Sequence, residues 1–305
     1  MAKQSSGEQY FVAPETDNSD LYTPILGVDQ NGEESELEVI EEKPLTIFLN
    51  SQEIVTSMTI GDHPRYLAVG FLLNQRMLYK SDKILSVDFD DELNVVVVRT
   101  SRQTNYEGKL KKKIRTSGCA VGTTFGDILL DLDKVRLPKT KLLTSWMYDL
   151  TAKINRTDSL YLKVGAIHGS VLCRQSDPLV YMEDVGRHNA VDKVCGWMFF
   201  ENELSDDKIL YTTGRLTSEM VIKTALMGIP ILISRSGFTA WGVELAKKVG
   251  LTVIGRLRGQ RFVCLSGKER LVFDKQLAYL ESKKNYYDIL LKIYLKQIYI
   301  LPQSQ

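Results

Sequence analysis

From Tyr161 to Ser266 the chain alternates short β-favouring apolar runs with helical patterns, and that order constrains the fold more than any other feature. YLKVGAIHGSVLC (161–173), PLVYMEDV (178–185), KILYTTG (208–214), IPILIS (229–234) and LTVIGRL (251–257) read as strands, with QRFVCLS (260–266) a further candidate. Between them GRHNAVDKVCGWMFF (186–200), SEMVIKTALM (218–227) and AWGVELAKKV (240–249) read as helices. Such alternation predicts a parallel or mixed sheet with helices on its faces. The stretch from Val180 to Phe200 is the most informative, since an apolar strand runs into a polar turn and then a helix with no spacer. In open α/β sheets that junction is where ligands bind.

The residues at the end of each strand sharpen the expectation. MEDVGRHN, TTGRLTSE, SRSGFT and GRLRGQR each place Gly beside polar or cationic residues, so all four are expected along one sheet edge as a binding site. In the last, Arg256, Arg258 and Arg261 put three guanidiniums into six residues with Leu257, Gly259 and Gln260 between them. Arginine forks suit bidentate contact with phosphate, although exposed arginines are also ordinary solvated surface. Arg215 and Arg235 end two other strands and would add to the same anion site. Thr213, Ser218, Ser236 and Thr239 offer hydroxyls, and Gly214 lies among them. Asp184, His188 and Asp192 are spaced by four and would share a helix face, making His188 either an oriented acid/base or part of a polar network closing the turn. His168 beside Gly169 is a weaker candidate, because such a histidine is more often packed and hydrogen-bonded.

Upstream, residues 1–43 are polar and acidic and are expected to form a mobile or loosely docked arm. LTIFLN (45–50) and EIVTSMTI (53–60) predict a hairpin, and ILSVDFD with LNVVVVRT a second strand pair. Between the pairs a helix is expected from Asp62, as N-cap, to about Gln75. Residues 127–160 read as helical. The division is therefore an arm (1–43), an α+β domain (44–158), an α/β domain (159–271) and a C-terminal amphipathic helix (272–305) that either packs on its own domain or meets a partner.

Within the α+β domain Cys119 lies in a loop of small residues, TSGCAVGTTFGD, shortly after Lys111, Lys112, Lys113 and Arg115. Nearby cations favour a thiolate, though the loop also reads as a Gly-rich turn with an incidental cysteine. The four cysteines have no short mutual spacing, which disfavours a zinc site or a disulfide framework. A net charge of +1 argues against a general nucleic-acid or membrane-surface binder. No apolar run is long enough for a transmembrane helix, and the N-terminus has no signal-peptide architecture, so a cytoplasmic protein is expected.

The residues EDVGRHN (183–189) followed by AVDK resemble the signature of the FdhD family, the formate dehydrogenase accessory proteins. GAIHGS (165–170), TGRLTSEM (213–220), GIPILISRSGFT (228–239), GLTVIGRLRGQRF (250–262) and, upstream, DHPRYLAVGFLLNQ (62–75) extend the resemblance over about residues 45–270. It implies a cytidine deaminase-like layered α/β domain with a smaller α+β domain N-terminal to it. It also implies a sulfurtransferase that takes sulfur from a cysteine desulfurase onto a loop cysteine as a persulfide. The acceptor would be the bis-molybdopterin guanine dinucleotide molybdenum cofactor of formate dehydrogenase, with GDP as its mimic, and the assembly a homodimer. Cys119 matches the first cysteine of the family's C-x-x-C loop, and Arg256–Arg261 the cofactor-binding segment. Gly122 stands where the second cysteine is expected, so resolution through an internal dithiol is in doubt unless Cys173, Cys195 or Cys264 lies close. A non-catalytic chaperone that binds the cofactor is the alternative. Zinc-dependent deamination is disfavoured, since neither H-x-E nor P-C-x-x-C is present.

Overall fold

The computed structural model describes residues 10–102 and 125–275. The Cys119 loop and the chain beyond Lys275, with the helix expected there, lie outside the described residues.

Six strands form the main sheet: β8 (His168–Arg174), β9 (Asp177–Asp184), β10 (Lys208–Thr212), β11 (Ile231–Ser234), β12 (Thr252–Arg258) and β13 (Arg261–Ser266). Their order is β13-β12-β11-β10-β8-β9. β10, β11 and β12 are parallel, while β8, β9 and β13 pair antiparallel with their neighbours. The sheet is therefore mixed, as the alternation predicted. Both faces are covered, which is why its strands read as continuous apolar runs. Leu172, Val180, Met182, Leu210, Leu232 and Val253 face one core, whereas Val171, Tyr181, Ile209, Tyr211, Ile233 and Ile254 face another, following the two-residue period of a strand.

The first core is closed by α5 (Arg187–Phe200), α6 (Ser218–Met227) and α7 (Ala240–Val249), and beyond them by α1 (Pro64–Asn74). A smaller sheet completes it, with β3 (Lys43–Leu49), β4 (Gln52–Thr59), β5 (Ile84–Asp90) and β6 (Val95–Thr100) in the order β4-β3-β6-β5. The second core is closed by Met147, Leu150 and Ile154 of α3 (Thr144–Arg156). α2 (Phe125–Leu132) and β7 (Leu142–Leu143) precede α3, and β7 pairs with β14 (Leu271–Val272). The two expected strand pairs and the helix ending at Gln75 are present.

α1 and α5 cross at two glycines. A Cβ on Gly70 would lie 1.8 Å from the carbonyl oxygen of Asp192, and one on Gly196 would lie 2.0 Å from that of Tyr66. Backbone meets backbone there, so neither position admits a side chain.

Four expectations change. A boundary at residue 158 separates no packing unit, because one core runs from Leu45 to Val253 and α3 covers the six-stranded sheet. The polar arm has defined structure from Tyr10 onward: β1 (Tyr22–Val28) and β2 (Glu34–Ile40) form an antiparallel ribbon. Ahead of that ribbon, Phe11 donates to Leu179 and Val12 accepts from Tyr181. β9 is an edge strand, and its free backbone groups recruit these residues. Residues 127–160 are not one helical region, because the helical pattern breaks around Pro138. Residues 161–164, read as the start of a strand, belong to a short helix, α4 (Leu160–Val164), capped by the Ser159 side chain accepting from Leu162 N–H.

Candidate anion-binding site

β9, β10, β11 and β12 all run in one direction, so the four segments singled out in the sequence do emerge at one sheet edge, joined there by the start of β8. A pocket of about 390 Å³ opens at this edge. It is lined by Tyr161, Gly165, Ala166, Ile167 and Val185 together with the polar side chains of His168, Thr213, Arg235, Ser236 and Arg258. Among the described residues no carboxylate lines it, so its two guanidiniums meet no acidic neighbour there. Such a surface favours an anion with several oxygens.

Each polar wall residue is positioned by the fold. Thr213 Oγ1 accepts from Gly169 N–H at 3.0 Å and lies 3.3 Å from His168 Nδ1. Ser236 N–H donates to Ser234 Oγ at 2.9 Å, and the Ser236 carbonyl accepts from Arg256 N–H at 2.9 Å. The Arg235 guanidinium lies over the Tyr161 ring, 5.5 Å from its centroid. Burial lowers the pKa of His168, and Arg187, His188 and Arg215 add to the effect, so its imidazole is neutral at pH 7.

The arginine-rich segment divides its tasks rather than acting as one fork. The register shift between Gly255 and Arg258 puts Arg256 in left-handed backbone, φ 55°, with its guanidinium 5.3 Å from the Phe238 ring centroid. Phe238 itself packs where a Gly255 Cβ would be, at 2.8 Å. Leu257 is buried in the second core and offers no side chain to a ligand. Arg258 alone of the segment lines the pocket. Gly259, with φ 59°, and Gln260 make the turn to β13, which places Arg261 opposite Arg258 but outside the pocket.

Other expected residues are also reassigned. Thr239 Oγ1 caps α7 by accepting from Gly242 N–H at 3.2 Å. Ser218 is the first residue of α6, and neither it nor the exposed Arg215 lines the pocket. Gly214 is buried and lets the Arg187 side chain pass within 2.9 Å of where a Cβ would stand. Asp184, His188 and Asp192 do not share a face, because Asp184 belongs to β9 and the three turn to different partners. Asp184 accepts from Gly186 N–H and Asn189 Nδ2, both at 3.0 Å, and pairs with Lys193 at 2.5 Å. Asp192 pairs with Lys223 at 2.6 Å. His188 is buried, with Nε2 3.1 Å from Glu219 Oε2 and Nδ1 without a hydrogen-bond partner among the described residues. Burial favours its neutral form, and it does not line the pocket.

Asp62, expected as the α1 cap, instead reaches Lys193. His63 takes the N-cap position with φ 46° and no side-chain cap. Sequence reasoning missed Tyr161, Val185 and the 165–167 turn, and only Gly165 carried a signal, that of a turn. Cys173 and Cys195 are buried, with the Cys195 thiol pushed up by burial to about 12, and Cys264 is half-buried with its thiol also raised. None of the three lines the pocket, and burial disfavours the thiolate of each; Cys119 and Gly122 lie outside the described residues. Among the described residues no cluster of metal-ligating side chains occurs.

Fold and pocket together define an α/β protein with a cationic pocket at the edge of a mixed sheet, lined by no carboxylate among the described residues. The chain belongs to the FdhD/NarQ family, whose model matches residues 40–272. It is 31% identical over 243 residues to the sulfur carrier protein FdhD of Listeria innocua, covering 78% of this chain and 93% of that protein. To the sulfur carrier protein FdhD of Wolinella succinogenes it is 29% identical, over 75% of this chain and 80% of the relative. A crystal structure from Desulfotalea psychrophila, described as a formate dehydrogenase accessory protein, superposes with a TM-score of 0.67 at 27% identity. The match covers 82% of this chain and 98% of that one. No described helix is long and apolar enough to cross a membrane.

Proposed function

We propose that this protein is a sulfur carrier in formate dehydrogenase maturation, accepting sulfane sulfur from a cysteine desulfurase on Cys119. It would deliver that sulfur to the bis-molybdopterin guanine dinucleotide molybdenum cofactor. The observation that carries the reading is the pocket holding Arg235, Arg258, His168, Thr213 and Ser236, with no carboxylate among its described lining residues, in a chain whose relatives are named sulfur carriers. The cofactor is cargo here, and its pyrophosphate is the anion that two guanidiniums and two hydroxyls would hold.

In the acceptance step the Cys119 thiolate attacks the outer sulfur of the desulfurase persulfide. A new S–S bond forms, the old one breaks, and the desulfurase cysteine leaves as thiolate, with no net oxidation. In delivery the acceptor supplies the electron pair that takes the outer sulfur, so the Cys119 S–S bond breaks, Cys119 leaves as thiolate, and the acceptor is oxidised by two electrons as the sulfur is reduced. A single thiol suffices for both steps, so Gly122 is compatible with a relay that uses no internal disulfide. We extend the reading to a cytoplasmic homodimer, and to the six-stranded sheet with its helical layers as the cytidine deaminase-like layer.

Incubating the full chain with a cysteine desulfurase and cysteine should add one sulfur atom to Cys119, read by mass spectrometry of the peptide. No adduct, or an adduct that survives Cys119→Ser, would overturn the carrier role. The second reading, a chaperone that binds the cofactor without moving sulfur, draws support from Gly122. It predicts that GDP binding and formate dehydrogenase maturation both persist in Cys119→Ala.

A further inference from the structure

The signature turn begins with two carboxylates, and Glu183 does not face the pocket. It is 1% exposed, and its two oxygens accept from consecutive backbone N–H groups of another element: Oε2 from Leu160 at 2.7 Å and Oε1 from Tyr161 at 3.0 Å. These are first-turn amides of α4, which would otherwise be orphaned at a helix start. α4 is only five residues long and leads through Gly165, φ 81°, into the 165–167 wall of the pocket. A helix of that length does not hold its own place, so its position depends on its anchors. Tyr161, whose amide Glu183 holds, presents its ring to the Arg235 guanidinium.

We propose that Glu183 is a positioning residue for the anion pocket: its carboxylate pins the first turn of α4 and, through the Tyr161 ring, sets the Arg235 guanidinium. The inference rests on the reading of the pocket as the cofactor site, and it assigns to the first residue of EDVGRHN a task at one remove from the ligand.

The clamp needs an ionised carboxylate, because a protonated carboxyl gives up one acceptor oxygen to O–H and cannot receive both amides. Burial pushes the Glu183 pKa up from 4.5 to about 7, opposed by the Tyr161 and Leu160 amides. Asp62 from the α1 entry raises it further, Lys193 from α5 lowers it, and Tyr181 from its own strand also lies within its field. The signs for stability and for the pocket therefore oppose each other. The folded chain holds a proton that the unfolded chain has released, so the stability contributed by Glu183 is fully present below pH 4.5 and lost as pH rises through about 7. The order of the pocket wall instead improves over the same rise.

The test measures GDP binding calorimetrically on the full chain, wild type and Glu183→Gln, at several values between about pH 6 and about pH 8, with thermal midpoints alongside. At the upper end Glu183→Gln should bind about tenfold more weakly, and the two proteins should converge as pH falls because a protonated Glu resembles Gln. Comparing the proteins at each pH cancels the titration of GDP itself. In an Arg235→Ala background the Glu183→Gln effect should largely vanish. A constant ratio at all pH values, full additivity with Arg235→Ala, or equal binding at the upper end would overturn the proposal. Amide NMR separates the clamp from the ligand site. The Leu160 and Tyr161 amide signals should titrate near neutrality in the wild type and not in Glu183→Gln, whether or not GDP binds. Absence of wild-type GDP binding would sink the cofactor-site reading, whereas absence of that titration would sink the clamp.

Discussion

Lys193→Met is the substitution whose consequence the structure sets most firmly. Lys193 is fully buried on α5, and its ammonium contacts Asp62, at the entry to α1, and Asp184, at the end of β9. It also donates to the Glu183 carbonyl at 2.9 Å. Burial works against the charged form, but Asp184 and Asp62 outweigh it and hold the pKa above its ordinary value. One cation thus neutralises part of two carboxylates that are 5% and 0% exposed, and methionine fills its space without its charge. Breaking a buried pair by removing one partner costs about 3–5 kcal/mol. At roughly 2–3 °C per kcal/mol for a chain of this size, the thermal midpoint should fall by about 10 °C at pH 7. Calorimetric unfolding between about pH 5 and about pH 8 checks the cause as well as the size. Stranded carboxylates take up protons more readily in the folded variant than in the unfolded chain, so the deficit should shrink as pH falls. A variant as stable as wild type at pH 7, or a deficit unchanged at the acid end, would refute the account.

The same contacts set the outcome of other substitutions. Gly70→Ala forces α1 and α5 apart against a clash with the Asp192 carbonyl, and should cost at least about 3 kcal/mol in denaturant unfolding. Arg235→Ala and Arg258→Ala should each weaken GDP binding about tenfold by calorimetry, whereas Arg261→Ala, outside the pocket, should change it less than about twofold. Equal losses at Arg258 and Arg261 would restore the continuous arginine fork that the segment suggests on paper.

The contrast between Glu183 and Asp184 explains what was legible. They are adjacent in sequence within the signature, but adjacent strand residues point to opposite faces. Glu183 therefore anchors α4, and Asp184 serves Lys193 and Asn189. Asp62 failed as a predicted cap for a similar reason: its partner Lys193 lies 131 positions away, and no local rule anticipates that. Residues 161–164 looked like the start of a strand because they are largely apolar, and they became helix because Ser159 and Glu183 satisfy the first amides of α4. Tyr161 gave no signal of its own, since its function depends on a guanidinium from a different strand end.

From residue 165 to 266 the order of strands and helices, the edge on which the loops gather and the family itself were determined by the sequence alone, because hydrophobic period and turn chemistry are local properties. Which arginine enters the pocket, which carboxylate faces inward and where the N-terminal stretch pairs were decided only by tertiary structure. Those outcomes depend on pairing buried charges and open strand edges across long separations, where the cost of an unsatisfied group exceeds any local preference.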